Sequence, residues 1–159
     1  MNAFRVGTGY DSHRFAAGRP FILGGVTIPN DRGLQGHSDA DALIHALIDA
    51  LFGALGESDI GTHFPDTDPG YKNIASLKLL AHAVTIMRTK GYELNNADAT
   101  IICERPKLRE HIAAMRTNIA AAFGVDSAQV TVKAKSNEGM DDVGAGAGVA
   151  VIAMVSIRK

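Results

Sequence analysis

The sequence predicts an α/β or α+β fold in which helices cover one sheet. Strand-like runs alternate with helix-like runs along the chain, and a pair of strands closes it. The 159 residues are 46% hydrophobic and 21% charged, as in an ordinary globular chain, and no repeat or linker divides them. We therefore expect one domain over residues 1–159.

The first two predicted strands cover residues 4–11 and 21–28. Both runs contain the β-branched and aromatic side chains that strands favour. Gly24 and Gly25 interrupt the second run, which predicts a turn or a bulge inside it.

The first predicted helix covers residues 38–55. Ser38 and Asp41 form an S-x-x-D start signal, an acidic variant of the capping box, and Gly56 is a typical stop signal. A polar loop over residues 56–70 follows, and its Asp-Pro and Pro-Gly pairs are common turn chemistry.

The rest of the chain continues the alternation of helix and strand. Apolar residues recur at helical spacing over residues 74–90 and 106–123, and Gly91 and Gly124 follow these two stretches. The remaining predicted strands cover residues 97–103, 130–134 and 149–157.

Composition limits the classes of partner. Sixteen Lys and Arg residues balance 17 Asp and Glu residues, and the net charge of −1 gives no basic face for a nucleic-acid backbone. No apolar run approaches the roughly 20 residues of a membrane helix. We therefore expect neither a nucleic-acid nor a membrane partner. Trp is absent and aromatic residues make up 6%, so the core must consist mainly of Ala, Val, Ile and Leu. A core that is rich in Ala and poor in aromatic residues favours stabilisation by oligomerisation.

The cysteine count and the N-terminal sequence bear on location. Cys103 is the single cysteine, so no intrachain disulfide can form, and a reducing compartment is the simpler interpretation. No basic region followed by an apolar stretch, the mark of a secretory signal, begins the chain. We expect a cytoplasmic protein.

Polar side chains recur at spacings that bring them together. Asp11 and His13 are two residues apart, so both point to the same face of an extended strand. Asp41, His45 and Asp49 are four apart and stack along one edge of the predicted helix. This edge borders the apolar face of that helix, which is a common place for the wall of a site.

One Asp and two His form a plausible ligand set for a divalent ion. With Asp11, His13 and His45 as three protein ligands, a fourth position stays open, which is typical of catalytic zinc. Asp41 or Asp49 would then orient a ligating imidazole. The alternative is that His45 is a half-buried helix histidine and that Asp11 and His13 close a turn.

Five segments carry a resemblance to the 2-C-methyl-D-erythritol 2,4-cyclodiphosphate synthase family. The resemblance is collinear and extends over essentially the whole chain. The segments are GYDSHRF (9–15), LGGVTIP (23–29), GHSDADALIHALIDALFGA (36–54), DIGTHFPDTDP (59–69) and ADATIICERPKLREHI (97–112).

The resemblance implies a fold, a reaction and two metal ions. The fold is a mixed sheet of four to five strands with helices on one side, assembled into a homotrimer with active sites between subunits. The reaction converts 4-diphosphocytidyl-2-C-methyl-D-erythritol 2-phosphate into the cyclic diphosphate and releases CMP. Asp11, His13 and His45 would hold Zn²⁺, and Glu138 would hold Mg²⁺ or Mn²⁺.

The resemblance also implies the roles of individual side chains. The expected catalytic residues are His37, Asp41, Ser136 and Glu138. The expected substrate-binding residues are Asp11, His13, His37, Ser38, Asp59, Ile60, Gly61, Phe64, Asp66, Asp68, Cys103, Pro106, Lys107, Leu108, Ala134 and Ser136. Within this set, the segment from Pro106 to Leu108 would form the cytidine pocket of the neighbouring subunit.

The chain departs from the family pattern after Glu138. It reads EGMDDVGAGAG where the family usually has E-K-x-G-[FY]-x-G-R-G-E-G. Ala145 replaces the Arg that lines the central channel of the trimer and there binds phosphate-bearing isoprenoids. We therefore expect farnesyl diphosphate and similar ligands to bind weakly or not at all.

Two other functions compete with the cyclase. The altered Gly-rich stretch suggests a metal-bearing trimeric binding protein that has lost turnover. The same metal site could also serve a phosphodiesterase in which a zinc-bound water is the nucleophile.

Overall fold

A mixed five-stranded sheet forms the centre of the computed structural model, which describes residues 4–159. The strands of the chain are β1 (Phe4–Ala16), β2 (Phe21–Leu23), β3 (Val26–Ile28), β4 (Gly33–Leu34), β5 (Glu93–Ile102), β6 (Val130–Lys135) and β7 (Gly148–Arg158). The order in the sheet is β4-β1-β7-β5-β6, and β2 and β3 form a separate hairpin. Among the strands within residues 4–159, only β5 and β6 run parallel, so the prediction of a mixed sheet is confirmed.

Within residues 4–159, three long helices form a layer on one side of this sheet, and two short helices lie in the loops. In chain order, the helices are α1 (Ala42–Leu55), α2 (Ile60–His63), α3 (Ser76–Thr89), α4 (Ile112–Phe123) and α5 (Asp141–Gly144), of which α1, α3 and α4 are the long ones. Helix α1 packs along β1 and β7, α4 packs on β6, and α3 packs on α1 and α4. One continuous core of buried apolar side chains joins these layers.

Glycines in β1 let α1 approach the sheet very closely. A Cβ atom added at Gly9 would lie 1.9 Å from the carbonyl oxygen of Ala46, and one at Gly7 would lie 2.0 Å from that of Ala50. Any side chain at these two positions would push α1 away from the strand. The close approach places α1 directly against β1 at Ala46 and Ala50.

Strand β1 is longer than the predicted strand over residues 4–11. Its residues from Phe4 to Arg14 pair one by one with β7, and Phe15 and Ala16 pair with β4. The ladder to β7 continues through Asp11, Ser12 and His13, beyond the predicted end of the strand. Both Asp11 and His13 therefore lie within regular strand.

Helix α1 begins at Ala42 rather than at Ser38. Asp41 is the N-cap residue, and its carboxylate accepts the backbone N–H of Ile44 at 3.1 Å. The prediction that Ser38 and Asp41 together form a capping box is therefore wrong, because Ser38 lies outside the helix. The predicted stop at Gly56 is confirmed by its left-handed backbone, with φ of 74°.

The predicted break at Gly24 and Gly25 is a two-residue hairpin turn between β2 and β3. Both glycines have positive φ, 58° and 69°, which this tight turn requires. The backbone N–H groups of the turn donate to Asp41. The hairpin is thereby attached to the start of α1.

Other boundaries differ from the sequence prediction. The helix predicted over residues 106–123 begins as α-helix only at Ile112, after a 3-10 turn over Arg109–His111. Leu108 is buried in the irregular segment just before this turn. The spacing of apolar residues in the sequence cannot distinguish such a segment from the first turn of a helix. The short helix α2 lies within the predicted polar loop, and α5 lies in the Gly-rich stretch after Glu138, where no helix was predicted. Among residues 4–159, none of the helices has the length and apolar run needed to cross a bilayer, and the cytoplasmic location stays a prediction.

Candidate active site

Three side chains from β1 and α1 converge on one point. The Asp11 Oδ2 atom lies 2.9 Å from His13 Nε2 and 3.1 Å from His45 Nδ1. The two ring nitrogens lie 3.3 Å apart. Asp11 and His13 point from β1 toward α1 because they alternate with the solvent-facing residues of the strand. One carboxylate oxygen and two imidazole nitrogens are a donor set that fits a divalent metal ion with an open fourth position.

The environment of the cluster favours an ionised carboxylate. The three side chains are 25%, 17% and 13% exposed for Asp11, His13 and His45. Burial alone would raise the pKa of Asp11, but the hydrogen bonds to His13 and His45 outweigh it and lower the pKa to about 2. Burial lowers the pKa of His13, but its contact with Asp11 outweighs this and raises it. The cluster thus offers a negatively charged ligand oxygen at neutral pH.

The outer ring nitrogens of both histidines have partners of their own. His13 Nδ1 lies 2.7 Å from the carbonyl oxygen of Gln35. His45 Nε2 lies 3.0 Å from Ser38 Oγ and 2.9 Å from Ser76 Oγ. These contacts leave His13 Nε2 and His45 Nδ1 free to face the metal position. The expectation that Asp41 or Asp49 orients an imidazole is wrong, because the outer ring nitrogens contact a backbone carbonyl and two serine hydroxyls instead.

Asp41 lies beneath the site, not in it. Its carboxylate is 0% exposed and accepts the backbone N–H groups of Gly24, Gly25 and Ile44. Burial raises its pKa to about 6, against the lowering effect of these hydrogen bonds. The catalytic role expected for Asp41 does not fit this position, because both oxygens are engaged and covered. Asp41 connects the β2–β3 hairpin to α1.

The variant Asp41→Asn tests this structural role. An amide has only one acceptor oxygen, so the buried NH₂ group of Asn at this position would face the backbone N–H of Gly24 or of Gly25. We expect a loss of about 2 kcal/mol in the free energy of unfolding, measured by urea denaturation, because a buried donor is left without an acceptor. Zinc affinity should stay at the wild-type value. A variant with wild-type stability but lost turnover would restore the catalytic assignment.

Asp49 also serves the fold near the site. Its Oδ1 atom accepts the backbone N–H of Ile60 at 2.7 Å, which attaches the start of α2 to α1. Burial raises the pKa of Asp49. The predicted stacking of Asp49 with His45 along one helix edge therefore does not produce a hydrogen bond to the imidazole.

We call Asp11, His13 and His45 the metal-ligand cluster. A cavity of about 320 Å³ opens beside it. The structure brings many of the expected substrate-binding residues to its wall. They are His13, His37, Ser38, Ile60, Gly61, Phe64 and Asp66. Gly36, Tyr71 and Leu79, which the sequence analysis did not identify, complete the lining together with His45. We refer to this space as the metal-side cavity.

Asp59 and Asp68 do not line the metal-side cavity. Asp59 caps α2 by accepting the backbone N–H of Thr62, and Asp68 caps the 3-10 turn over Pro69–Tyr71 by accepting that of Gly70. Asp68 still touches the wall through its backbone, because its carbonyl oxygen lies 3.3 Å from His37 Nε2. Both carboxylates thus hold the loop over residues 59–71 in shape.

A second cavity, of about 300 Å³, collects the other expected residues. We call it the distal cavity, and it shares no lining residue with the metal-side cavity. Its expected lining residues are Cys103, Pro106, Lys107, Leu108, Ala134 and Ser136. Arg109, Ile112 and Lys135 were not identified from the sequence and also line it. Burial raises the pKa of Cys103 to about 11, so its thiol stays protonated and is no nucleophile.

Glu138 lies at the edge of the distal cavity. The hydroxyl of Ser136 donates to Glu138 Oε1 at 2.8 Å. The backbone N–H of Asn137 between them donates to Glu104 Oε2 at 2.9 Å, which ties this turn to the end of β5. Glu138 is exposed and lies outside the cluster of Asp11, His13 and His45.

Comparison with known proteins agrees with this geometry. The model of the YgbB family matches residues 4–158. A 2-C-methyl-D-erythritol 2,4-cyclodiphosphate synthase of Brachyspira hyodysenteriae is 53% identical over 155 residues, which cover 98% of each chain. The synthase of Bordetella petrii is 54% identical over 98% of this chain and 96% of its own length.

Solved structures show the same fold. The bifunctional IspDF of Campylobacter jejuni matches 99% of this chain with a TM-score of 0.95 and 39% identity, and this chain spans 43% of that chain. The CDP complex of Plasmodium falciparum IspF matches 99% of this chain and 97% of its own, with a TM-score of 0.86 and 31% identity. The chain therefore belongs to the YgbB family, the 2-C-methyl-D-erythritol 2,4-cyclodiphosphate synthases of isoprenoid biosynthesis, which are lyases acting on a phosphorus–oxygen bond.

Proposed function

We propose that this chain converts 4-diphosphocytidyl-2-C-methyl-D-erythritol 2-phosphate into 2-C-methyl-D-erythritol 2,4-cyclodiphosphate and releases CMP. The observation that carries the proposal is the convergence of Asp11, His13 and His45 beside the metal-side cavity, in a chain of this family. An oxygen of the 2-phosphate forms a bond to the β-phosphorus. The bond from that phosphorus to the bridging oxygen breaks, and CMP leaves with the electron pair.

Asp11, His13 and His45 would hold Zn²⁺ with the fourth position open to a phosphoryl oxygen. When bound, the ion supplies a Lewis acid that offsets the charge of the diphosphate. The chain itself contributes alignment: the attacking and leaving groups belong to one substrate, so correct orientation replaces an activated side-chain nucleophile. The metal-side cavity has the right position to hold the methylerythritol part, with Asp66, His37 and Ser38 as polar wall groups.

Glu138 would hold the second ion, Mg²⁺ or Mn²⁺. Its carboxylate is exposed and is held by the hydroxyl of Ser136. Hard cations prefer such oxygen ligands together with substrate phosphates. Ser136 also lines the distal cavity, so the ion would be held near the diphosphate of a substrate whose cytidine moiety is bound there. The cytidine moiety would occupy the distal cavity, with Lys107 at its wall.

We also propose a homotrimer with active sites at the subunit interfaces. The sheet face opposite the helices is open and exposes large apolar side chains. They are Phe4, Val6, Tyr10, Ile152 and Met154, each 47–61% exposed. Contiguous apolar surface of this kind is typical of a protein interface. The two cavities have no lining residue in common, so a complete site formed from the metal-side cavity of one subunit and the distal cavity of the next agrees with the trimer that the family resemblance implies.

Product analysis by phosphorus NMR tests the proposed reaction. Purified protein is incubated with the cytidine-linked substrate and Mg²⁺, with and without removal of zinc by a chelator. We expect the cyclic diphosphate and CMP, and the loss of both when zinc is removed. A ring-opened product carrying oxygen from labelled water would indicate the phosphodiesterase. Binding of the substrate without CMP release would indicate the binding protein and would contradict the cyclase.

A further inference from the structure

We propose that Ser76, held by Asp39, is a positioning residue for His45. In this proposal the Ser76 hydroxyl sets the orientation and the tautomer of the imidazole, so that Nδ1 faces the metal. The inference rests on the metal site proposed above. It concerns two residues that contribute no ligand atom to that site.

Ser76 has a buried hydroxyl aimed at the outer side of the ring. It is the first residue of α3, is 0% exposed, and its Oγ lies 2.9 Å from His45 Nε2. Helix α3 packs against α1, so the contact joins the two helices. A hydroxyl that accepts from the Nε2–H leaves the lone pair on Nδ1, the atom that lies 3.1 Å from Asp11 Oδ2.

Asp39 determines which way the Ser76 hydroxyl points. The hydroxyl donates to Asp39 Oδ1, and the backbone N–H of Ser76 donates to Asp39 Oδ2 at 2.9 Å. Because its own hydrogen is committed to a carboxylate, the Ser76 oxygen must act as the acceptor toward His45. Asp39, Ser76 and His45 thus form a chain of hydrogen bonds that ends at the metal position.

Ser38 makes a similar contact but has no such support. Its Oγ lies 3.0 Å from His45 Nε2 and also accepts the backbone N–H of Ala40 at 3.2 Å. Within residues 4–159, no carboxylate accepts a hydrogen bond from the Ser38 hydroxyl, so this oxygen can act as donor or acceptor. Ser76 is therefore the partner of His45 whose hydroxyl has a fixed direction. A hydrogen-bond partner on the ring nitrogen that faces away from the metal orients a ligating imidazole and raises its basicity.

Zinc affinity is the first readout of this proposal. The variants are Ser76→Ala, Asp39→Asn and the double variant, and the affinity is measured by competition with a chelator. We expect each single change to weaken zinc binding by about tenfold, the lower end of the range for such outer partners. The double variant should bind zinc no more weakly than Ser76→Ala, because Asp39 acts through Ser76.

Matched controls separate positioning from a general effect on the fold. Thr85→Ala removes a hydroxyl that bonds within the same helix α3, and Asp126→Asn changes a carboxylate that caps a turn far along the chain. Both should leave zinc affinity unchanged. Ser76→Thr keeps the hydroxyl and should restore most of the affinity lost in Ser76→Ala.

The tautomer gives a readout that a merely structural role would not change. In the zinc-free wild-type protein, where no metal fixes the tautomer, nitrogen NMR of the His45 ring should show the proton on Nε2. The visible absorption of the cobalt-substituted protein should change in Ser76→Ala and return in Ser76→Thr. The wild-type measurement tests the proposal even if both variants fail to fold, since a proton on Nδ1 would overturn it.

Three further results would decide against the proposal or against its basis. Unchanged zinc affinity in Ser76→Ala and Asp39→Asn would overturn the positioning role, and so would losses that add in the double variant. Wild-type zinc affinity in His45→Ala would instead refute the proposed metal site itself. The two failures are therefore distinguishable.

Discussion

The variant His45→Ala should lose zinc from this site and lower turnover by at least about a thousandfold. A metal ion contributes several kcal/mol of charge stabilisation in the transition state, and each 1.4 kcal/mol corresponds to about a factor of ten in rate. Among residues 4–159, His45 is one of the three side chains that could hold the ion, so two candidate ligands would remain. The side chain is 13% exposed at the edge of α1, and the core residues on either side of it keep their packing. We therefore expect a folded protein.

The measurement combines zinc content, steady-state turnover and thermal unfolding of the same preparation. His111→Ala is the matched control, because His111 lies before α4 and outside the metal-ligand cluster. That variant should retain zinc and turnover. A His45→Ala protein that unfolds far below the wild-type temperature and still turns over normally would contradict the assignment of His45 as a ligand.

The candidate metal ligands could be predicted from local spacing because two regular elements carry them. Asp11 and His13 share a strand face, and His45 lies on a helix whose apolar stripe is evident in the sequence. The structure brings the three side chains together as the spacing suggested. The strand period and the helix period are both short-range properties, so a single sequence contains them.

The role of Asp41 could not be predicted in the same way. Spacing of four residues places Asp41 on the edge of His45 only if both lie within the helix, whereas Asp41 is the residue just before it. Its real partners, Gly24 and Gly25, lie 17 and 16 residues earlier, in the hairpin turn. Nothing in the local pattern indicates this contact, because it depends on where the hairpin packs.

Ser76 and Asp39 escaped the sequence analysis for the same reason. They are 37 residues apart and meet only because α3 packs against the segment that precedes α1. The lining of the distal cavity contains both residues that the sequence identified and residues that it did not. Family motifs identified the residues from Pro106 to Leu108, whereas Arg109 and Lys135 became evident only when the chain was folded.

The second large effect concerns the spacing between β1 and α1. We expect Gly9→Ala to lower the free energy of unfolding by about 3 kcal/mol, at the upper end of the usual cost of overpacking. The added Cβ would lie 1.9 Å from the carbonyl oxygen of Ala46, a backbone atom that cannot rotate away. Helix α1 must therefore shift from the strand. Urea denaturation of Gly9→Ala and wild type measures the loss.

This shift should also reach the metal ligands, because Ala46 follows His45 and Gly9 precedes Asp11 by two residues. Zinc affinity should therefore fall together with stability. Gly53→Ala is the matched control on the facing helix, where an added Cβ would lie 3.7 Å from its nearest neighbour, in ordinary contact. That variant should gain up to about 1 kcal/mol from the better helix propensity of Ala. If Gly9→Ala kept both wild-type stability and wild-type zinc affinity, the close approach of α1 would not be what brings His45 to Asp11 and His13.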